Sequence, residues 1–242
     1  MEKDYNDENL YIWYIEENGK ILATMMLKIY IIQYNDKNLT ICIKVFILNY
    51  IFYTGIRGRS IMRIIVGAGK TKYNGWISTQ EQELNLLSIE QWNNIVKNDE
   101  IEAILAEHVW EHLSYEDGLQ AAKNCYRFLK PGGYVRCAVP DKNFRNEWYQ
   151  NMVKVGGPGH EAHPACAHKV VYDYKTLVKV FESAGFEVTL LEYCDEQGDF
   201  HYREWDEAKG KICRSYRFDS RNSNGKLGMV SIIIDAVKPI NK

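Results

Sequence analysis

The chain has 242 residues, 46% of them hydrophobic, with 30 Lys and Arg against 32 Asp and Glu. That length and apolar share suit one large globular domain, or a medium domain with an appendage, folded around a real core. A formal charge of −2 with acids and bases evenly mixed excludes the overall electrostatic footprint of a nucleic-acid or anionic-membrane binder, so neither is an expected partner.

Six cysteines, at 42, 125, 137, 166, 194 and 213, form no C-x-x-C pair, and the opening MEKDYNDEN lacks the basic region of a signal peptide. Reduced thiols in a cytoplasmic protein are expected. The longest apolar stretch, ICIKVFILNYIFY from Ile41, contains Lys44 and falls short of the roughly 20 residues that span a bilayer. No membrane span is expected.

The chain changes character near residue 60. Residues 1–60 are rich in Ile, Tyr and Asn, with turn signals ENGK (Glu17 to Lys20) and YNDKN (Tyr34 to Asn38), and read as a β-meander, an extension without an assigned function. Residues 61–242 alternate strand-length apolar runs with helical stretches, the pattern of a largely parallel sheet covered by helices. RIIV (63–66), GWIST (75–79) and IEAILAE (101–107) are the first three strands. SIEQWNNIV is a helix with Ser88 as N-cap and Gln91 at capping-box spacing.

A second helix opens at Ser114 and places Leu119, Ala122, Cys125 or Tyr126, and Leu129 on one face. Pro131-Gly132-Gly133 is expected to end it. YVRCAVP follows as a strand, and YDYKTLVKVFESAGF as a helix buried through Leu177, Val180, Phe181 and Ala184 and closed by Gly185. EVTLLEY and MVSIIIDAV complete the chain and pair antiparallel, because no long helix separates them. The predicted architecture is therefore α/β and Rossmann-like: a mostly parallel sheet, a C-terminal antiparallel strand pair, and helices on both faces.

IIVGAG, a strand running into AEHVWEHL, then YRFLKPGGYVRCAVPD, then a helix running into AGFEV, together resemble the class I S-adenosylmethionine-dependent methyltransferase family in its small methyltransferase-domain form. EHVWEHLS followed by FLKPGGY is the most specific part. The resemblance implies S-adenosyl-L-methionine as cofactor and a small-molecule or conjugated acceptor; the oligomeric state stays open.

In open α/β sheets ligands sit beyond the carboxyl ends of the strands, so the turn after RIIV is the first place to look. The resemblance implies that Gly67, Ala68 and Gly69 line the cofactor, that Thr79 or Glu81 approaches its ribose, and that Glu107 lies near the transferred methyl. The family's helix between the first two strands is missing, since only KTKYN separates Gly69 from Gly75. Its ribose-binding acid is missing too: Thr79-Gln80 stands there, with Glu81 and Glu83 just beyond. AGKT imitates the end of a phosphate-binding loop, but that motif requires glycine where Ile64 stands.

His108 and Asp141 are the expected catalytic residues, both at carboxyl ends of strands. An imidazole there could take the acceptor's proton. The same segment spells H-x-x-E-H from His108 to His112, so a metal-dependent hydrolase using His108, Glu111 and His112 is the alternative, with His160, His163, Cys166 and His168 downstream as further ligands. Because His108 closes a strand, it does not share a helix with His112, and no metal is expected. A third reading, a catalytically inactive binding module, follows from the missing ribose acid.

Two insertions leave carboxyl ends of strands and should overhang the site. One runs from Asp141 to His168. The other, GDFHYREWDEAKGKICRSYRFDSRNSNGK from Gly198, carries His201, Tyr202, Trp205, Arg214, Tyr216, Arg217 and Arg221. That mixture suits an anionic or sugar-like acceptor as well as it suits a solvated hairpin.

Overall fold

The computed structural model describes the backbone of residues 10–17, 20–34 and 38–48, and backbone with side chains over 62–96, 100–159, 163–223 and 225–240. The chain divides into two compact units, Met1–Arg59 and Ser60–Lys242. In the first, β1 (Leu10–Glu17), β2 (Lys20–Tyr34) and β3 (Asn38–Leu48) pair antiparallel in that order. The strand ends fall on the two turn signals.

The second unit is built on a seven-stranded sheet. Its strands are β4 (Met62–Val66), β5 (Ile77–Ser78), β6 (Ile101–Glu107), β7 (Leu129–Pro140), β8 (Glu187–Cys194), β9 (Phe200–Tyr202) and β10 (Ser231–Val237). Their spatial order is β5-β4-β6-β7-β10-β8-β9. β4, β5, β6 and β7 are mutually parallel. β10 runs antiparallel to both β7 and β8, and β9 lies antiparallel along β8. The last two long strands thus pair antiparallel as expected, with the final strand slotted into the sheet.

Alternation sorts the strands' side chains onto two faces. One face carries Ile64, Val66, Ile104, Ala106, Cys137, Val139, Ile232 and Ile234, buried against helices α1 (Ile89–Ile95), α2 (Tyr115–Phe128) and α4 (Tyr174–Ser183). Each helix starts at a capping side chain: Ser88 accepts from the Gln91 N–H, Ser114 from Asp117, and Asp173 from Thr176. Gln91 does not complete a capping box; its Oε1 accepts the Asn85 N–H instead. In α2 it is Gly118 that is buried, because Trp110 and the Tyr172 hydroxyl press against it, while Leu119 stays half-buried.

The other face carries Ile65, Leu105, Ala138, Leu191 and Ile233. Among the described residues its apolar cover is Trp205, Ile212 and Phe218 from the segment after β9, with Tyr73 and Trp76 from the glycine turn. Among the described residues no helix lies between β4 and β5, and this irregular segment covers the face instead. Arg136, fully buried on this face, holds it down by donating to the carbonyls of Asp206 and Gly210 while pairing with Asp235. Trp205 lies between Arg136 and Arg217, with guanidinium carbons 4.9 and 4.6 Å from its ring centroid.

Two boundaries differ from the sequence expectation. The second strand shrinks to Ile77–Ser78, because the Thr79 N–H and hydroxyl both turn back to the Ile65 carbonyl. Pro131-Gly132-Gly133 lies inside β7 rather than ending α2. A Cβ at Gly133 would stand 2.9 to 3.0 Å from three carbonyl oxygens, so only glycine lets the strand pass that bulge.

Candidate active site

A cavity of about 720 Å³ opens at the carboxyl ends of β4 and β6, within the range of small-molecule sites. Its floor is Ile65 to Thr71 and Leu105 to His108 in part. Helix α3 (Glu147–Val153) contributes Trp148, Tyr149, Met152 and Val153, and the loop beyond it contributes His163 to Ala165 and His168. The segment before β10 contributes Cys213, Arg214, Arg221 and Met229. Both insertions therefore reach the mouth of the site.

At the glycine turn, Gly67 and Gly69 have φ of +57° and +55°, a region side chains disfavour. A Cβ on Gly67 would come within 2.8 Å of Val109 Cγ2, whereas beyond Gly69 there is nothing within 4 Å. Ala68 is buried, and its N–H reaches the Thr79 carbonyl. The Gln80 amide clamps the turn from outside, accepting from the Gly69 N–H and donating to its carbonyl. Thr79 is buried with its hydroxyl committed to Ile65, and Glu81 is exposed on the following turn. Neither lines the cavity.

Glu107 accepts the N–H groups of Cys213 at 3.0 Å and Arg214 at 2.9 Å, so the carboxylate closing β6 anchors the second insertion over the site. Arg214 Nη1 lies 3.6 Å from the same group. Arg221 is engaged by Asp219. His201 pairs with Asp195 and stacks on Tyr193, and Tyr202 and Tyr216 are exposed. Of the insertion's side chains singled out from sequence, Arg214 and Arg221 reach the cavity.

His108 is the one non-glycine residue with positive φ, +57°, among the described residues. Its N–H is tied to the Ala138 carbonyl. The Ser231 hydroxyl, which sequence reasoning missed, donates to the Arg214 carbonyl at 2.7 Å; His108 Nε2, 3.1 Å from that oxygen, must then donate to it. His108 Nδ1 lies 3.0 Å from Glu111 Oε1, an attractive contact when that nitrogen also carries a proton. Both ring nitrogens thus face polar partners, and the residue sits at the cavity wall.

Trp110, fully buried, donates its ring N–H to the Gly118 carbonyl and packs on Phe181, which fixes the turn Trp110–His112. Glu111 on that turn is fully buried, and neither carboxylate oxygen receives an aligned hydrogen bond. Burial, the largest single effect, pushes its carboxyl up, but the His108 imidazole, the local backbone and His112 together hold it below the usual carboxylate range. Burial lowers His112. The Glu111 carbonyl accepts from the N–H groups of Lys169 and Val170, which draws His168 alongside. As a result Glu111, His112 and His168 present donor atoms within 4.8 Å of one another, a grouping that does not include His108. His160 lies outside the described residues.

Asp141 is fully buried and does not line the cavity. Its two oxygens accept the N–H groups of Asn143 and Cys194, and its own N–H reaches the Tyr149 hydroxyl, so it joins β7, β8 and α3. Burial raises its carboxyl to about 6 against the pull of those N–H groups.

Solved structures similar to this chain are distant from it. An S-adenosylmethionine-dependent methyltransferase from Archaeoglobus fulgidus is 14% identical over 74% of this chain and 86% of its own, with a TM-score of 0.44. One from Methanosarcina mazei is 12% identical over 76% and 94%, at 0.43. Phosphoethanolamine N-methyltransferase 2 of Haemonchus contortus, solved with S-adenosyl-L-methionine, is 11% identical over 55% and 35%, at 0.38. No curated protein matches the sequence. The family model of the methyltransferase domain matches residues 59–191, more than half of the chain. The chain belongs to the methyltransferase-domain family, the class I S-adenosylmethionine-dependent methyltransferases, which decides between methyl transfer and hydrolysis in favour of the former.

Proposed function

We propose that residues 61–242 transfer a methyl group from S-adenosylmethionine to an oxygen, nitrogen or sulfur of a small or conjugated acceptor held in the cavity, with residues 1–60 an extension to that unit. The carrying observation is the wall formed by Gly67 to Gly69. It combines left-handed backbone, open space beyond Gly69, and a position at the carboxyl end of β4. Those features fit the methionine end of the donor. At the ribose end the fit is different from the family pattern, because Gln80 braces the turn where an acid usually stands.

When bound, the donor supplies a methyl group already activated on a sulfonium. The protein's own work is then positioning and exclusion of water. Gly67 to Gly69 hold the donor against the end of β4. Glu107 keeps the Cys213–Arg214 segment closed over the mouth, and Trp148 and Met152 bound the acceptor side. His108, held between Glu111 and Ser231, orients the wall facing the acceptor. Asp141 supports this arrangement from behind by joining β7 to β8.

Calorimetry tests the reading. The full chain should bind S-adenosylmethionine and S-adenosylhomocysteine in the micromolar range, and Gly67→Val should abolish both. Absence of heat at millimolar ligand would discard it in favour of the inactive module.

A further inference from the structure

We propose that Glu111, His112 and His168 form a site for one divalent transition-metal ion in the wall of the cavity. All three residues face that cavity, and their donor atoms already lie within 4.8 Å of one another. His168 Nε2 stands 3.9 Å from Glu111 Oε1. Three donors at about 2.0–2.2 Å from a tetrahedral ion are roughly 3.3–3.6 Å apart, so no contact needs to contract by more than about 1.5 Å, and the His168–Glu111 contact needs about 0.5 Å.

Two independent features point to a cation. Glu111 is a fully buried carboxylate with no aligned hydrogen bond to either oxygen, a state that costs several kcal/mol unless a positive charge compensates it. The His108 ring stands at 3.0 Å on one side of that carboxylate, and the other side faces the two remaining imidazoles. Those imidazoles are also preset as ligands. His168 Nδ1 donates to the Val153 carbonyl at 2.9 Å, which turns Nε2 toward Glu111 as the nitrogen available to a metal. The His112 ring is likewise backed by the Ala167 carbonyl. Backbone carbonyls behind both histidines are the support that holds metal-bound imidazoles in one tautomer and orientation.

Two imidazoles and one carboxylate select zinc, iron, cobalt or nickel over magnesium or calcium, which prefer oxygen ligands. Three protein ligands leave at least one coordination position, and it opens into the cavity. An acceptor oxygen or nitrogen bound there would be placed against the methyl donor. That use rests on the methyltransferase reading; the metal site itself does not.

The test uses the full chain, stripped with a chelator and titrated with zinc(II) by calorimetry and with cobalt(II) by visible absorption. One equivalent should bind with micromolar or tighter affinity. X-ray absorption of the zinc-loaded protein should show two imidazole scatterers. His168→Gln and Glu111→Gln should each weaken binding at least tenfold, while His201→Gln, at the exposed pair with Asp195, should not. Binding no tighter than millimolar, a zinc spectrum without imidazole, or unchanged affinity in both ligand variants would overturn the site. S-adenosylmethionine binding by the metal-stripped protein is measured separately, so a failed metal site and a failed methyltransferase reading give different results.

Discussion

Gly67 and Gly69 share a left-handed backbone, yet they differ in what a methyl group would meet. For Gly67→Ala the conformation costs about 1–2 kcal/mol and the collision with Val109 adds about 1–3. Chemical denaturation should show that total, and Val109→Ala in the same chain should recover the collision part. Gly69→Ala meets open space, so it should lose about 1–2 kcal/mol of stability by conformation alone. If the donor's methionine end lies against this turn, the same substitution weakens S-adenosylmethionine binding tenfold or more in calorimetry. Asp141 makes a different prediction, tied to pH. Its carboxyl titrates near 6 in the folded chain against an ordinary 3.8. The stabilisation it contributes is complete below 3.8 and is lost as pH rises through 6, because the folded state holds the proton longer than the unfolded one. Each pKa unit is worth about 1.4 kcal/mol, so wild type should lose about 2–3 kcal/mol relative to Asp141→Asn between about pH 4 and about pH 7. Urea unfolding of both proteins across that range measures it, and parallel curves would contradict the assignment.

At the scale of elements, the segment after β9 covers the second face of the sheet without an α-helix. Its cover depends on Trp205, which is buried, donates to the buried carboxylate of Glu192 at 2.9 Å, and is flanked by two guanidinium groups. Trp205→Ala should cost about 3–5 kcal/mol and lower the melting temperature, because it opens a cavity and strips Glu192 of a donor. The sequence reading placed Trp205 among side chains for an acceptor. Aromatic and basic residues in a loop look alike whether they stack on a ligand or on a sheet. Three of the helices were legible: Ser88 and Ser114 open α1 and α2 with a capping side chain and α4 shows an apolar period, while α3 was not read and the buried face of α2 turns on Gly118 rather than Leu119. The ends of β5 and β7 were not legible, since they are set by Thr79 bonding back to β4 and by Gly133 packing against neighbouring carbonyls. Residues at strand ends were placed by topology alone. That reasoning brings Glu107 and His108 to the cavity correctly, but it cannot tell that Asp141 turns its carboxylate toward β8 or that His168 returns to Glu111 through backbone pairing.

For the whole molecule, the decisive fact is where the cavity's walls come from. Among the described residues they run from Ile65 on β4 to Met229 just before β10, all within the second compact unit. That unit also contains its own hydrophobic clusters on both faces of the sheet and a third joining α3 to the end of β8. Among the described residues this unit packs apolar side chains on both faces of its sheet, as expected of a domain able to fold alone. A chain beginning at Met62 should accordingly unfold in a single cooperative transition and bind S-adenosylmethionine within threefold of the full chain. Differential scanning calorimetry and ligand titration on both proteins measure this directly. A shorter chain that folds but binds tenfold more weakly would mean that the β-meander of residues 1–60 acts on the site, and its role would then belong to the enzyme's chemistry. Equal affinity would leave the meander free for a separate function and confine donor binding to the α/β unit, where the glycine turn, the Glu107 anchor and the Glu111 cluster lie at one end of one sheet.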